Sequence, residues 1–193
     1  GVDLHEFYPV KKEDDIFRVI HCGEISFRKG IPYLLQAFSE LNLENSELWL
    51  VGPIDSRIND ILNKYQNRNI VLHGAKKQSD LYWYYSQCDI FCLASIDDGL
   101  AMVQAQAMAC QLPIIATENT GAAELVEPEK NGFIVPIRDK EALKEKISYF
   151  YQNREEVKRM GKAAKTTIEN GFSWSDYGAR YSQNLEDIFS KHF

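Results

Sequence analysis

The sequence has no apolar run long enough to span a membrane and no apolar stretch near its start. A membrane-spanning helix needs about 20 consecutive apolar residues, whereas the first residues, Gly1–His5, are largely polar and do not resemble a signal peptide. We therefore expect neither a membrane span nor a secretory leader, and we predict a cytoplasmic protein. The missing initiator methionine suggests a fragment or a processed form of a longer chain.

Cysteines are few, and none is paired in the sequence. The four of them, Cys22, Cys88, Cys92 and Cys110, include no C-x-x-C pair, and most stand in or beside apolar runs. A reduced thiol packs there as a small apolar group, which is typical of a reducing compartment. Because the spacing offers no set of ligands, we predict no metal site.

Positive charge is also scarce, with 22 Lys and Arg against 28 Asp and Glu and a formal net charge of −6. Nucleic-acid binding requires clustered basic residues that neutralise phosphates. The composition therefore argues against nucleic acid as the main partner. It leaves room for a local basic patch around a small phosphate ligand.

The chain does contain a regular alternation of apolar runs and amphipathic segments. It predicts an α/β fold, a Rossmann-like doubly wound six-stranded parallel sheet in a single domain over residues 1–193. By precedent, the strand order is 3-2-1-4-5-6. The predicted strands are 17–22, 48–51, 70–73, 90–93, 113–116 and 132–136. The predicted helices are 31–41, 54–65, 81–86, 99–110, 140–151, 155–169 and 175–190. Ser79 or Asp80 would cap the helix over 81–86, and Asp139 would cap the helix over 140–151.

Two charged loops follow the first and fourth strands. Arg28 and Lys29 follow strand one, whereas Asp97 and Asp98 follow strand four and precede a helix that we expect to begin at Gly99. In this topology ligands bind between these strands, beyond their carboxyl ends, and a helix N-terminus there favours a phosphate. The alternative is an ordinary strand–helix unit in which Asp98 caps the helix and Gln106, about 12 Å further along it, lies on a solvated face.

Several of these stretches together resemble glycosyltransferase family 4. The resemblance covers nearly the whole chain. It implies retaining enzymes of the GT-B fold with two Rossmann-like domains, of which this chain looks like the C-terminal, donor-binding one, with the N-terminal acceptor domain absent. The stretches that carry it are 23–30, 36–38, 50–52, 71–74, 95–108, 110–116, 124–126 and 131–133.

The resemblance assigns roles to four residues near the two loops. The family usually has two glutamates eight positions apart, and this sequence has Asp98, which would bond hydroxyls of the donor sugar, and Gln106, which would bond the ribose. Lys29 matches a lysine on the donor diphosphate. The usual arginine after Gly23 is replaced by Glu24, and the sequence leaves open whether Arg28 substitutes for it.

The resemblance also implies a wider binding set. Backbone N–H groups at the start of the central helix would contact the diphosphate, a glycine loop would approach the sugar, and the end of the third strand would hold the nucleotide base. These positions, with Gly23 of the first loop, are Gly99, Leu100, Ala101, Met102, Val103, Gly121, His73 and Gly74.

We therefore expect the donor half of a hexosyltransferase in glycan or cell-surface polysaccharide synthesis. Lys29, Arg28 and Asp98 would be the catalytic residues, a UDP- or GDP-linked sugar the donor, and no metal or other cofactor would be required. The fragment alone would be inactive, and peripheral membrane association of the full-length enzyme stays open. Two alternatives stay open as well: a nucleotide-sugar epimerase of related GT-B architecture, and a non-catalytic nucleotide-binding module.

Overall fold

The computed structural model describes residues 1–65 and 69–192, and within them six parallel strands form one sheet. Its order, β3-β2-β1-β4-β5-β6, confirms the predicted doubly wound topology. Each neighbouring pair is parallel, with β1 at the centre against both β2 and β4. The strands are β1 (Phe17–Cys22), β2 (Ser46–Val51), β3 (Ile70–Gly74), β4 (Ile90–Leu93), β5 (Ile114–Thr117) and β6 (Gly132–Val135).

Helices cover both faces of the sheet, as parallel strands buried on two sides require. Apolar side chains of α1 and α5 belong to one core cluster and those of α4 to the other, while α6 contributes to both. The helices are α1 (Ile31–Leu41), α2 (Asn59–Lys64), α3 (Leu81–Ser86), α4 (Met102–Ala109), α5 (Lys140–Gln152), α6 (Arg154–Glu169) and α7 (Trp174–His192).

The predicted start of the central helix is wrong by three residues. Helix α4 begins at Met102, because Ala101 has an extended backbone with φ −72° and ψ 111° and occupies the N-cap. Gly99 and Leu100 therefore lie in the turn before the helix. Asp98 is not the cap of α4, so the alternative interpretation of it as an N-cap is also wrong.

Two other helix predictions need correction. Ile54 forms a parallel bridge with Ile25, so the predicted helix over 54–65 is divided into a 3₁₀ turn, Ser56–Ile58, and the short α2. Asp80 stands at the N-cap of α3, but its side chain makes no capping hydrogen bond in the part of the chain that is described. The predicted cap of α5 is confirmed, since Asp139 accepts a hydrogen bond from the Ala142 amide at 2.9 Å.

The four cysteines are buried free thiols, as predicted. Burial raises the pKa of the Cys92 and Cys110 thiols to about 12, because the thiolate loses its hydration in the apolar core. These groups are therefore protonated and unreactive at neutral pH.

One glycine fixes the loop after β1 against the end of β4. Gly30 has φ +67°, and a Cβ added there would lie 1.8 Å from the carbonyl oxygen of Ala94. Only a residue without a side chain permits this approach. It brings the loop that carries Lys29 next to the loop that carries Asp98.

Candidate donor-binding site

The charged loops after β1 and β4 meet, as the sequence predicts. The Lys29 ammonium donates to Oδ2 of Asp98 in an ion pair. Arg28 Nη1 donates to the carbonyl oxygen of Asp97 at 3.1 Å and lies 3.7 Å from Oδ1 of Asp98. The Ile96 amide donates to the Arg28 carbonyl at 2.9 Å, which ties the two loops together through the backbone.

The Lys29–Asp98 pair is largely shielded from solvent. The two side chains are only 13% and 15% exposed, whereas that of Arg28 is 55% exposed. The Asp98 amide donates to the Asn119 carbonyl at 2.9 Å, and the Ser95 hydroxyl lies 3.5 Å from its Oδ2. Partial burial strengthens the attraction between the charges, so the pair holds a cation and an acceptor at one defined place.

His21 lies fully buried close to this ion pair. Its Nδ1 is 3.3 Å from the Cys92 carbonyl oxygen. Its Nε2 has no hydrogen-bond partner within residues 1–65 and 69–192. Burial, with a smaller contribution from the Lys29 charge, lowers the pKa of His21 to about 4, so the imidazole is neutral at pH 7.

The turn between Asp98 and α4 is exposed to solvent. Leu100 is 50% exposed and Met102 is 38% exposed. Of the five predicted phosphate donors, Met102 and Val103 lie in the first turn of α4, and Gly99, Leu100 and Ala101 precede it. The first amides of a helix have no intrahelical partners and are available to a phosphate. That these amides contact one stays a prediction.

Gly121 lies directly against this turn. It has φ +64°, and an added Cβ would be 3.0 Å from Cα of Leu100. The buried Gln104 supports the same loop by donating from Nε2 to the Thr120 carbonyl at 2.9 Å. The predicted glycine loop is therefore next to the start of α4, while its approach to a sugar stays a prediction.

Gln106, on α4, lines a cavity that the sequence did not reveal. The fully buried Tyr85 donates from its hydroxyl to Oε1 of Gln106 at 3.3 Å. The cavity has a volume of about 440 Å³. Its lining residues are Gly1, Val2, Asp3, Glu6, Phe7, Gln78, Met102, Gln106 and Trp174.

The first residues of the chain reach this cavity because they pack on the start of α7. The Val2 amide donates to the Phe172 carbonyl at 2.8 Å, and the Trp174 amide donates to the Val2 carbonyl at 3.3 Å. Phe7 is buried in the core. The sequence predicted only an irregular segment here, because its contacts lie about 170 residues away along the chain.

His73 and Gly74, the two residues predicted to hold the base at the end of β3, have different surroundings. The His73 ring packs between Trp49 and Tyr84, with ring centroids 4.4 Å and 5.1 Å away. Partial burial lowers the pKa of His73. Gly74 accepts a hydrogen bond from the Gly52 amide at 3.0 Å and has open space around its Cα. An aromatic environment therefore holds His73, and base binding by either residue stays a prediction.

Gly23 and Glu24 lie at the end of β1. The Gly23 amide donates to the Val51 carbonyl at 2.9 Å, which continues the sheet into the loop. Glu24 is exposed. The pKa of the nearby Arg57 guanidinium is raised mainly by its hydrogen bond to Asp55 and by the Asp55 charge, with a smaller contribution from the Glu24 charge. The position where an arginine was expected thus presents a carboxylate at the mouth of the crevice.

Within the described residues, no helix is both long and apolar enough to cross a membrane. Comparisons with known proteins show which family the chain resembles. The sequence model of the family "Glycosyl transferases group 1" matches residues 5–167, which include all six strands and the Lys29–Asp98 pair.

Individual proteins agree with this match. The chain is 26% identical over 187 residues to the putative colanic acid biosynthesis glycosyltransferase WcaL of Escherichia coli K12, covering 90% of this chain and 46% of WcaL. Sucrose-phosphate synthase from Thermosynechococcus elongatus superposes with a TM-score of 0.89 at 26% identity, over 99% of this chain and 52% of that one. Anabaena HepE in complex with UDP-glucose superposes with a TM-score of 0.84 at 19% identity, over 97% and 56%.

The chain spans about half the length of the proteins that it matches. The likeness to HepE is evidence for the fold alone. The family match covers most of the chain and includes both charged loops and the helix that follows them. This chain therefore belongs to the group 1 glycosyl transferases.

Proposed function

We propose that the chain is the donor-binding domain, over residues 1–193, of a retaining glycosyltransferase of family 4. It would transfer a hexosyl group from a nucleotide diphosphate sugar to an acceptor held by a separate N-terminal domain. The observation that carries this proposal is the Lys29–Asp98 pair across the crevice, beside the N-terminus of α4. HepE, which shares the fold, was solved in complex with UDP-glucose, and the proposal takes a donor of that class by analogy.

Each group at the crevice has a chemical role in this proposal. Lys29, with Arg28 beside it, contacts the diphosphate and stabilises the charge that develops as it leaves. Backbone amides from Gly99 to Val103 add partial positive charge. Asp98 accepts hydrogen bonds from sugar hydroxyls. Because cationic side chains and amides serve the phosphates, the reaction as proposed needs no metal ion.

The colanic acid context of WcaL supports a role in cell-surface polysaccharide synthesis. We place the enzyme in the cytoplasm, where nucleotide sugars are made, and the full-length protein at the membrane surface if its acceptor is lipid-linked. Isolated from an acceptor domain, this chain binds the donor and transfers little.

The test is a thermal-shift and calorimetry panel of UDP, GDP, ADP and their sugars. A ligand at 100 times its dissociation constant raises the free energy of unfolding by about 2.7 kcal/mol. Lys29→Met should abolish most of the shift, whereas Lys158→Met, at a lysine that is 68% exposed on α6, should leave it unchanged. The proposal fails if no nucleotide in the panel stabilises the wild-type chain at millimolar concentration.

A further inference from the structure

The two halves of the sheet separate at the carboxyl end of β1. On one side, β1 pairs with β2 as far as Cys22 with Val51. On the other side, its pairing with β4 ends two residues earlier, at Ile20 with Phe91. The strands on either side of this gap lead into the two charged loops of the crevice, and in this topology ligands bind where the two halves of the sheet separate.

The His21 side chain bridges the gap. Its ring is fully buried, and its Nδ1 lies 3.3 Å from the carbonyl oxygen of Cys92, one residue beyond the last paired position of β1 and β4. A carbonyl oxygen only accepts hydrogen bonds, so Nδ1 donates and carries the proton of the neutral ring. The lone pair of the ring is therefore on Nε2.

Nε2 of His21 faces the loop that carries Lys29. A Cβ added to Gly23, at the start of this loop, would lie 3.7 Å from Nε2. Nε2 has no hydrogen-bond partner within the described ranges of the chain, and the β2 neighbour of His21 is the apolar Leu50. A polar atom that is buried without a partner is uncommon in a folded protein and calls for an explanation.

A proton on Nε2 would give this atom a partner. Burial lowers the pKa of His21 most strongly, whereas the backbones of Cys92 and Glu24 raise it. A backbone group raises the pKa of a histidine when its carbonyl oxygen can accept from a ring N–H. Because the Cys92 carbonyl faces Nδ1, the Glu24 carbonyl is the acceptor for a proton on Nε2.

The charges at the crevice determine whether the ring takes up this proton. Besides burial and the backbone contacts, the Lys29 charge lowers the pKa of His21 and the Asp98 charge raises it. In the ion pair these two effects oppose each other. A diphosphate that pairs with Lys29 brings negative charge and releases Asp98, and both changes favour a positively charged ring.

We propose that binding of a nucleotide diphosphate sugar is coupled to the uptake of a proton from water at Nε2 of His21, which then donates to the Glu24 carbonyl. This inference rests on the proposed function, in which Lys29 contacts the diphosphate. The protonated ring bonds both sides of the gap, through Cys92 of β4 and Glu24 of the loop after β1. His21 is thus a positioning residue, which acts on the donor through the loop of Lys29.

The experiment is calorimetry at pH 7 and pH 5 with UDP-glucose, GDP-mannose and ADP-glucose, in buffers that differ in their heat of ionisation. Sugar-linked nucleotides are the suitable probes, because a terminal phosphate itself titrates at about pH 6. Coupling between two sites is typically about 5–150-fold, and a tenfold coupling raises the pKa of His21 from about 4 to about 5 in the complex. At pH 5 about half of the bound chains and about a tenth of the free chains then carry the proton. Binding should therefore take up about 0.4 proton and be about twofold tighter than at pH 7.

His21→Asn removes the titrating group and keeps an amide that can donate to the Cys92 carbonyl. Its binding should take up no proton at pH 5, and its affinity should be the same at pH 5 and pH 7. His5→Asn, the same change at an exposed histidine, should keep the wild-type proton uptake. Equal proton uptake by wild type and His21→Asn would overturn the proposal, as would binding to wild type without proton uptake.

Nuclear magnetic resonance of the wild-type chain tests the proposal without any substitution. The ring signals of His21 should titrate about one pH unit higher in the nucleotide-sugar complex than in the free chain, whereas those of His5 should not move. An unchanged His21 midpoint on binding would overturn the proposal even if His21→Asn fails to fold. A wild-type chain that binds none of the three nucleotide sugars at pH 7 would instead contradict the proposed function itself.

Discussion

Lys29 and Asp98 are 69 residues apart in the chain, yet their side chains form an ion pair across the crevice between β1 and β4. In the proposed donor complex the cation faces the diphosphate and the carboxylate faces the sugar. When no nucleotide sugar is bound, the charges of Lys29 and Asp98 neutralise each other. A bound diphosphate therefore competes with Asp98 for Lys29.

Asp98→Asn should separate the two ligand classes. Without the competing charge, Lys29 is free for the diphosphate, so a bare nucleoside diphosphate should bind equally well or about threefold more tightly. The matching nucleotide sugar should lose about 1.5–3 kcal/mol of binding free energy, because its hydroxyls lose a charged acceptor. Calorimetry with both ligands measures this difference.

Asp97→Asn is the matched control, because Asp97 is exposed and binds Arg28 only through its backbone carbonyl. It should change neither affinity by more than twofold. If Asp98→Asn weakens both ligands equally, Asp98 serves the fold and not the sugar.

His21 should make the stability of the chain depend on pH. The pKa of about 4 in the folded chain lies below the ordinary histidine value of 6.5, so the unfolded chain binds the proton more readily. The stabilisation is fully present above pH 6.5 and is lost as the pH falls toward 4, by about 3 kcal/mol if the full shift applies. Urea unfolding of wild type and His21→Gln between pH 7 and pH 4 measures this loss.

The His21→Gln curve should be flatter than that of wild type over this interval. His5→Gln, at an exposed histidine, should retain the wild-type slope. Parallel curves for wild type and His21→Gln would show that carboxylates alone cause the pH dependence.

Gln111 has φ +65°, a left-handed conformation that costs a residue with a side chain about 1–2 kcal/mol. Gln111→Gly should therefore raise the free energy of unfolding by about 0.5–1 kcal/mol, after the greater flexibility of glycine in the unfolded chain is subtracted. Gln36→Gly, within helix α1, should lower it by about 1 kcal/mol. Chemical denaturation compares them, and a loss of stability in Gln111→Gly would contradict the strain argument.

Gly30→Ala should disturb the fold at the site. The added Cβ would meet the Ala94 carbonyl at 1.8 Å in a left-handed backbone, so the two loops must move apart. We expect a loss of at least about 2 kcal/mol of stability, together with weaker nucleotide binding. Gly178→Ala, on α7 with open space around its Cα, should leave nucleotide binding unchanged and is a control for glycine replacement.

Helix α7 has an exposed apolar stripe that should mediate association. Its large side chains are between 38% and 60% exposed; they are Trp174, Tyr177, Tyr181, Leu185, Ile188 and Phe189. Tyr181→Ser with Leu185→Ser should leave the melting temperature within about 2 °C, because exposed positions contribute little to stability. Light scattering at high concentration should show less self-association than wild type, and unchanged scattering would show that the stripe is inert.

The sequence by itself determined the alternation of strands and helices, the bounds of β1 and α1, and the meeting of the loops after β1 and β4. Those features follow from local apolar periodicity and from the general topology of parallel sheets. Lys29 and Asp98 could be predicted to lie close together for the same reason, since the ends of adjacent strands meet at one edge of the sheet. Burial of the cysteines followed from their apolar neighbours.

Tertiary structure alone decided the rest. Ala101 is a good helix former, yet it stays extended where the loop of Asp98 is held by Asn119. Ile54 joins Ile25 in a bridge instead of a helix. The cavity at Gln106 exists only because the first residues pack against α7, far along the chain. Such contacts depend on which surfaces the complete fold brings together, and local sequence patterns do not predict them.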